Sequence, residues 1–145
     1  MNEFNSLKLE NQLCFPLYAC AKEIVRKYTP FLEELNLTYT QYIVMLVLWE
    51  HKKLSVKKLG QYVYLDSGTL TPLLKKLESL ALIQRARDSN DERMVIITLT
   101  EGGIKLRKKA QLIPEKLGQC LNISPDEAKT LYTLLYKLLA DSKIS

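Results

Sequence analysis

Residues 54–103 read LSVKKLGQYVYLDSGTLTPLLKKLESLALIQRARDSNDERMVIITLTEGG. Ser55 stands where an N-cap is wanted, ahead of a short helix carrying Val56, Leu59 and Val63. Leu65-Asp66-Ser67-Gly68 then reads as a turn. Across residues 66–81, Leu70, Leu73, Leu74, Leu77 and Ala81 recur at the i, i+3, i+4, i+7 spacing of a helix with one buried face. The opposite face carries Ser67, Thr69, Thr71, Lys75, Lys76 and Ser79. Pro72 would lie past the first turn of a helix begun at Asp66, which leaves a late start or a tolerated kink open. The period then drops to two. Residues 82–87 and 94–99 read as strands, the second rich in β-branched side chains, joined by the polar tip 88–93.

Two helices joined by a tight turn and followed at once by a hairpin form the plan of a winged helix-turn-helix. In that plan the second helix lies in the major groove of DNA and the hairpin reaches beside it. The hydroxyls of Ser67, Thr69 and Thr71 can approach base edges or phosphates, with Lys75 and Lys76 as cations near the backbone. The bland alternative is a solvated polar helix face. Charge weighs against it. The chain holds 21 Lys and Arg against 16 Asp and Glu. Residues 52–109 alone hold 13 basic and six acidic side chains, and the two flanks together are slightly acidic. A basic centre is the electrostatic footprint of a polyanion partner.

The flanks read as helices with apolar stripes. Leu13, Leu17, Ala21, Ile24 and Tyr28 mark a long first helix over about 7–35, bent or restarted near Pro16. Thr40 reads as the cap of a second helix through Tyr42, Val44, Met45, Leu48 and Trp49. After the hairpin, Thr100 caps a helix that runs to about residue 121 with a kink at Pro114. Ser124-Pro125-Asp126-Glu127 starts the last helix, with Ser as N-cap, Pro at N1 and Glu at N3. Leucines at 131, 134, 135, 138 and 139 follow.

The expected fold is mainly α with a small β-hairpin wing, an α+β class in one domain over residues 1–145. A winged helix-turn-helix core at 40–103 is flanked by dimerisation helices at 7–35 and 104–142. A broad apolar face must be buried. Symmetric pairing would bury these and set two recognition helices about one DNA turn apart, as an inverted-repeat operator requires. An intramolecular bundle is the alternative.

Composition narrows the function classes. Apolar residues make up 47% of 145, with no run long enough to span a membrane. The first residues lack the basic and apolar regions of a signal peptide, which points to the cytoplasm. Three cysteines, Cys14, Cys20 and Cys120, do not make a disulfide scaffold. There is no CxxC or HExxH, and His51 is the lone histidine. No metal, no cofactor and no enzyme activity are expected.

The quoted segment resembles the winged-helix core of the MarR (multiple antibiotic resistance regulator) family. Asp91-Glu92-Arg93 followed by the strand and LTEGG is similar to that family's wing signature. LENQLCFPLYA at 9–19, LTYTQYIVMLVLWE at 37–50 and LDSGTLTPLLKKLE at 65–78 resemble the branch of organic hydroperoxide resistance regulators and their staphylococcal relatives. The likeness covers about residues 7–110, and the C-terminal helices match only in pattern.

The resemblance implies a homodimeric repressor that leaves its operator, a double-stranded DNA inverted repeat, when an organic hydroperoxide oxidises one cysteine. The matching residue is Cys14. A helix restart near Pro16 would set it at a helix N-terminus, where a thiolate is favoured. Family donors to this sulfur match Tyr28 and Tyr39, across the dimer interface, and Tyr18, one turn after Cys14, is placed to join them. Eight tyrosines against three phenylalanines fit a need for polar tips on buried rings.

Cys120 lies about where some members keep a resolving cysteine, while one-cysteine members use a low-molecular-weight thiol. It also continues an apolar stripe with Ile113 and Leu117, so a structural role stays open. Cys20, about 240° around a continuous helix from Cys14, reads as packing. The resemblance further places Arg93 at the wing tip in the minor groove, with Asp91 orienting the wing, and Arg87, Asp91 and Arg93 are the DNA-binding residues expected of the wing. Two alternatives remain: release by a small phenolic or other ligand, and a thiol peroxidase.

Overall fold

A computed structural model describes residues 3–140. Two single 3-10 turns, Asn5–Leu7 and Leu9–Asn11, lead in. Three side-chain bonds fasten them: Asn11 Nδ2 donates to the Asn5 carbonyl at 2.7 Å, and Gln12 Nε2 to those of Ser6 and Lys8 at 2.7 and 2.8 Å. Helix α1 spans Cys14–Glu33. Pro16 is therefore its third residue, where an N–H has no partner within the helix in any case. Of the bend or restart expected near Pro16, the structure has a helix start, and the interior proline is Pro30, through which the helix continues.

Helix α2, Tyr39–His51, is capped by Thr38 rather than Thr40. The Thr38 hydroxyl accepts from the Gln41 N–H, and the Gln41 side chain accepts from the Thr38 N–H at 2.9 Å, a reciprocal capping box. A short strand β1, Lys53–Ser55, precedes α3, Val56–Val63, capped by Ser55. Tyr64 takes a left-handed conformation at the turn, and Asp66 caps α4, Ser67–Ser79. The turn thus sits one residue earlier than expected, and Ala81 lies beyond the helix, exposed at positive φ. Pro72 stays inside α4, so the helix tolerates it.

Strands β2, Ile83–Arg87, and β3, Val95–Leu99, form the hairpin. The sheet has three strands in the order β1-β3-β2, all antiparallel, with Ser55 opposite Ile96 and Ile83 opposite Leu99. β1 is the addition to the expected hairpin. Three residues are too few to show a period of two, and only pairing with β3 defines it.

Helix α5, Glu101–Ala110, starts at a Thr100 cap, so the expected core boundary at 103/104 falls inside it. The chain then breaks at 111–112, and α6, Ile113–Gly118, carries Pro114 in its first turn. Proline opens a new helix here instead of bending an old one. Helix α7, Pro125–Leu139, begins with the Ser124/Glu127 capping box that its sequence predicts.

The core gathers around α2, whose Val44, Met45 and Leu48 are fully covered. Leu59, Leu70, Leu74, Leu77, Ile83 and Ile97 pack in the same cluster. Truncating one such leucine to alanine costs about 2–5 kcal/mol. Only the far end of α1 joins this core, through Tyr28, Phe31 and Leu32. Its beginning stands clear: Leu13 is 81% exposed, and Leu17 and Tyr18 are exposed too. α7 buries none of its residues and leaves Leu131, Leu134 and Leu138 open. Residues 141–142 of the expected C-terminal arm lie outside the described residues.

Candidate nucleic-acid interface and thiol site

The face of α4 opposite its leucines is open. Ser67, Thr69, Thr71, Lys75 and Lys76 are all exposed. Asp66 Oδ1 accepts from the Thr69 N–H at 2.7 Å, and this bond holds its carboxyl below the ordinary aspartate range. Thr71 turns its hydroxyl back to the Ser67 carbonyl at 2.7 Å. A helix that begins at Ser67 therefore presents short side chains first and cations a turn later.

Glu78, in the last turn of α4, fixes that helix against the hairpin. Its carboxylate accepts from the Arg85 backbone N–H at 3.0 Å, from Nε at 3.3 Å and from Nη2 at 3.1 Å. Opposite charges seven residues apart across a turn give no sequence signal, and this pair was not foreseen.

At the wing tip, Arg87 Nη1 donates to the Glu92 carbonyl at 2.8 Å and so supports the loop. Asp91 Oδ1 accepts from both the backbone N–H and Nε of Arg93, at 3.0 and 3.2 Å. Arg93 is nonetheless 92% exposed, a guanidinium oriented on one edge and open on the others. Between α3, α4 and the wing lies a cleft of about 510 Å³ lined by Lys57, Gln61, Ser67, Thr71, Arg85 and Arg93, among others. Of the expected α4 residues, Ser67 and Thr71 line this cleft with Arg93, whereas Thr69, Lys75 and Lys76 are exposed outside its lining, and Arg87 braces the wing tip.

Cys14 is the first residue of α1 and is exposed. Leu13 offers no side-chain cap, so the first-turn N–H groups beside the thiol are open to an anion. Tyr18 is exposed one turn on, with Lys22 Nζ 5.3 Å from its ring centroid. Tyr28 follows 14 residues along the same helix, about 21 Å from Cys14 at ~1.5 Å per residue. It meets Tyr39 with ring centroids 4.8 Å apart and Tyr42 at 5.6 Å. Burial, then the neighbouring Tyr39 and Tyr42, push the Tyr28 phenol up to about 12, and burial raises Tyr39 as well. Both hydroxyls are protonated donors at neutral pH. The structure unites Tyr28 with Tyr39 but not with the Cys14 of the same protomer.

Cys120 follows α6, exposed, its S–H directed to the Lys116 carbonyl at 3.4 Å. Ile113 and Leu117 of the same stripe are buried, so Cys120 is where that stripe leaves the core. α6 meets α1 near Phe31, over whose ring Lys116 Nζ sits at 6.0 Å. The first and last cysteines thus belong to opposite ends of α1. Cys20, expected to pack, is exposed in the protomer.

Residues 26–110 match the family described as Transcriptional regulator SarA/Rot. The organic hydroperoxide resistance transcriptional regulator of Bacillus subtilis is 51% identical over 138 residues, which are 95% of this chain and 94% of that protein. The chain belongs to the MarR-type transcriptional regulators, in the organic hydroperoxide resistance branch. Solved structures agree with that membership. A mutant MarR from E. coli complexed with operator DNA has a TM-score of 0.81 at 28% identity, covering 96% of this chain and 99% of that one. Overoxidized AbfR bound to DNA has a TM-score of 0.77 at 35% identity, with 96% and 98% covered. The disulfide form of AbfR, a protein of Staphylococcus epidermidis, has a TM-score of 0.65 with 92% and 94% covered. The fold of this MarR-type chain is thus nearer the DNA-bound AbfR subunit than the disulfide-bonded one.

Proposed function

We propose that the chain is a homodimeric repressor of the cytoplasm that binds an inverted-repeat operator and releases it when an organic hydroperoxide oxidises Cys14. The relatives are transcriptional regulators rather than enzymes, and among the described residues no helix is long and apolar enough to cross a membrane. Ser67, Thr69, Thr71, Lys75 and Lys76 face the major groove in this account. Arg93 enters the minor groove, with Asp91 and Arg87 holding the wing.

One observation carries the sensing half: the open thiol of Cys14 begins α1, the Tyr28–Tyr39 contact lies toward its other end, and the apolar stripe of the helix's first turns is uncovered. A second copy laid antiparallel along α1 would bring the partner's thiol to this protomer's tyrosines and bury both stripes. The Cys14 thiolate attacks the peroxide, cleaving its O–O bond. One oxygen stays on sulfur as sulfenic acid, and the leaving alkoxide takes a proton to become an alcohol. A second thiol then attacks that sulfur and water leaves, giving a disulfide. Cys120 of the other protomer or a low-molecular-weight thiol supplies it. The tie displaces the dimer helices and with them the spacing of the two α4 helices.

Non-reducing intact mass after one equivalent of cumene hydroperoxide per subunit tests this, beside Cys14→Ser. A covalent dimer absent from the variant supports Cys120 as resolver. A monomer heavier by one oxygen supports the small-thiol route. No Cys14-dependent change refutes peroxide sensing. Release by a small phenolic or other anionic ligand would then take its place, with the cleft of about 610 Å³ between α2 and α5 as its seat. Tyr42, Trp49, Arg107 and Lys108 are among the residues that line it.

A further inference from the structure

Trp49 is the chain's sole tryptophan, and it is buried where α2 meets the first turn of α5. Its indole N–H donates to the Gly103 carbonyl at 2.8 Å, across 54 residues of sequence. On the other side its ring meets Tyr42 edge-on, centroids 6.4 Å apart. Tyr42 in turn lies 5.6 Å from Tyr28 and 6.4 Å from Tyr39. A continuous line of aromatic contacts therefore runs from the proposed thiol-binding tyrosines to the indole.

The far end of that line is anchored to the wing. A Cβ on Gly103 would overlap the Leu82 carbonyl oxygen and the Leu99 side chain, so the first turn of α5 lies hard against the ends of both wing strands. The Gly103 N–H donates to the Thr100 hydroxyl at 3.1 Å, and that hydroxyl donates to the Ala81 carbonyl at 2.6 Å. The Thr100 N–H donates to the Leu82 carbonyl at 3.1 Å. The carbonyl that receives the indole is thus fixed to the base of the hairpin that carries Arg93.

We propose that Trp49 is a positioning residue that passes the state of the tyrosine pair to the wing. This rests on the reading of Tyr28 and Tyr39 as donors to the partner's thiolate. When that sulfur is oxidised and tied into a disulfide, the two hydroxyls lose their acceptor and their rings repack. Tyr42, in contact with both, moves with them, and α2 carries the indole along. A hydrogen bond is directional, whereas an apolar contact lets surfaces slide. The Trp49 N–H therefore drags the α5 turn and the wing base with it.

A buried indole N–H needs an acceptor for stability alone, so the test must separate coupling from support. Trp49→Phe keeps a ring and removes the donor. The probe is a labelled duplex selected from a random library by the reduced wild-type protein, and the oxidant is cumene hydroperoxide. A merely supportive Trp49 lowers the melting temperature and leaves the reduced-to-oxidised affinity ratio intact. A coupling Trp49 leaves the rate of Cys14 oxidation within about twofold, while that ratio shrinks by about fivefold or more. An unchanged ratio overturns the proposal.

Should Trp49→Phe fail to fold, the wild-type indole decides, because one tryptophan gives one indole ¹⁵N–¹H cross-peak. Loss of its hydrogen-bonded shift and exchange protection on oxidation supports coupling. A peak that stays put and protected overturns it. A wild-type protein that keeps the duplex after Cys14 is oxidised refutes the functional reading itself, an outcome distinct from a variant-specific one.

Discussion

Glu78 holds Arg85 at three points, the backbone N–H, Nε and Nη2, all within 3.3 Å. The pair fastens the last turn of α4 to the first wing strand. The bonds from Arg85 hold the Glu78 carboxyl below its ordinary value of 4.5. A depressed folded value means stability that is present above the unfolded value and lost as pH falls through the folded one. Thermal melts of wild type and Glu78→Gln are expected to differ at pH 7, with the gap narrowing as pH falls below 4.5. A gap that does not narrow on acidification would assign the effect to something other than this carboxylate. The same variant should bind the selected duplex several-fold more weakly, because the wing is no longer referenced to α4.

Arg93 is oriented by Asp91 yet almost wholly open. Arg93→Ala is expected to weaken binding about tenfold at physiological salt. If its partners are phosphates, the log–log salt slope falls by about 1, and the loss is uniform across sequences. If it reads base edges in the minor groove, the loss concentrates on the operator and the slope barely changes. Unchanged affinity and slope together would remove the wing tip from the interface.

Cys14→Ser should bind the operator as wild type does and ignore organic hydroperoxide in a gel-shift titration. Cys120→Ser should oxidise at the wild-type rate but yield no covalent dimer on a non-reducing gel, and an added small thiol should give a monomeric mixed disulfide instead. Normal dimer formation by Cys120→Ser would pass the resolving role to Cys20, which is also exposed.

Tyr28 stays neutral up to about pH 12. Because the folded value is raised, its contribution to stability holds below about pH 10 and falls away as pH rises toward 12. Absorbance titration at 295 nm should show a late-ionising phenol that is missing in Tyr28→Phe. The same variant, lacking the donor, should oxidise at Cys14 more slowly. An unaltered rate at pH 7 would detach Tyr28 from the thiol.

Much of this was legible in the sequence because it is encoded locally. Ser124-Pro125-Asp126-Glu127 and Ser55 cap the helices they promised, since capping needs only residues three apart. The α4 leucines carry their period openly, and the run 95–97 declares a strand by its β-branched composition. Prolines were harder. Pro16 and Pro114 start helices and Pro72 sits within one, because the same residue opens, bends or merely burdens a helix depending on where the first turn falls. β1, the Glu78–Arg85 brace and the Trp49–Gly103 bond depend on segments brought together by the fold, and no local pattern announces them. The same holds for Cys14 and its tyrosines. The distance between them is set by helix rise, and the completed α1 keeps Cys14 and Tyr28 apart within one protomer.

That separation along α1 gives the pair of subunits a genetic property. If each sensing centre takes its sulfur from one chain and its phenols from the other, a Cys14→Ser chain paired with itself is inert and a Tyr28→Phe chain paired with itself is slow. Mixed together they build one centre that lacks both groups and one that lacks neither. One silent and one slow allele expressed in the same cell should therefore restore a fast peroxide response that neither possesses alone, and the restored signal should approach half of the wild-type number of fast-responding centres in each mixed pair.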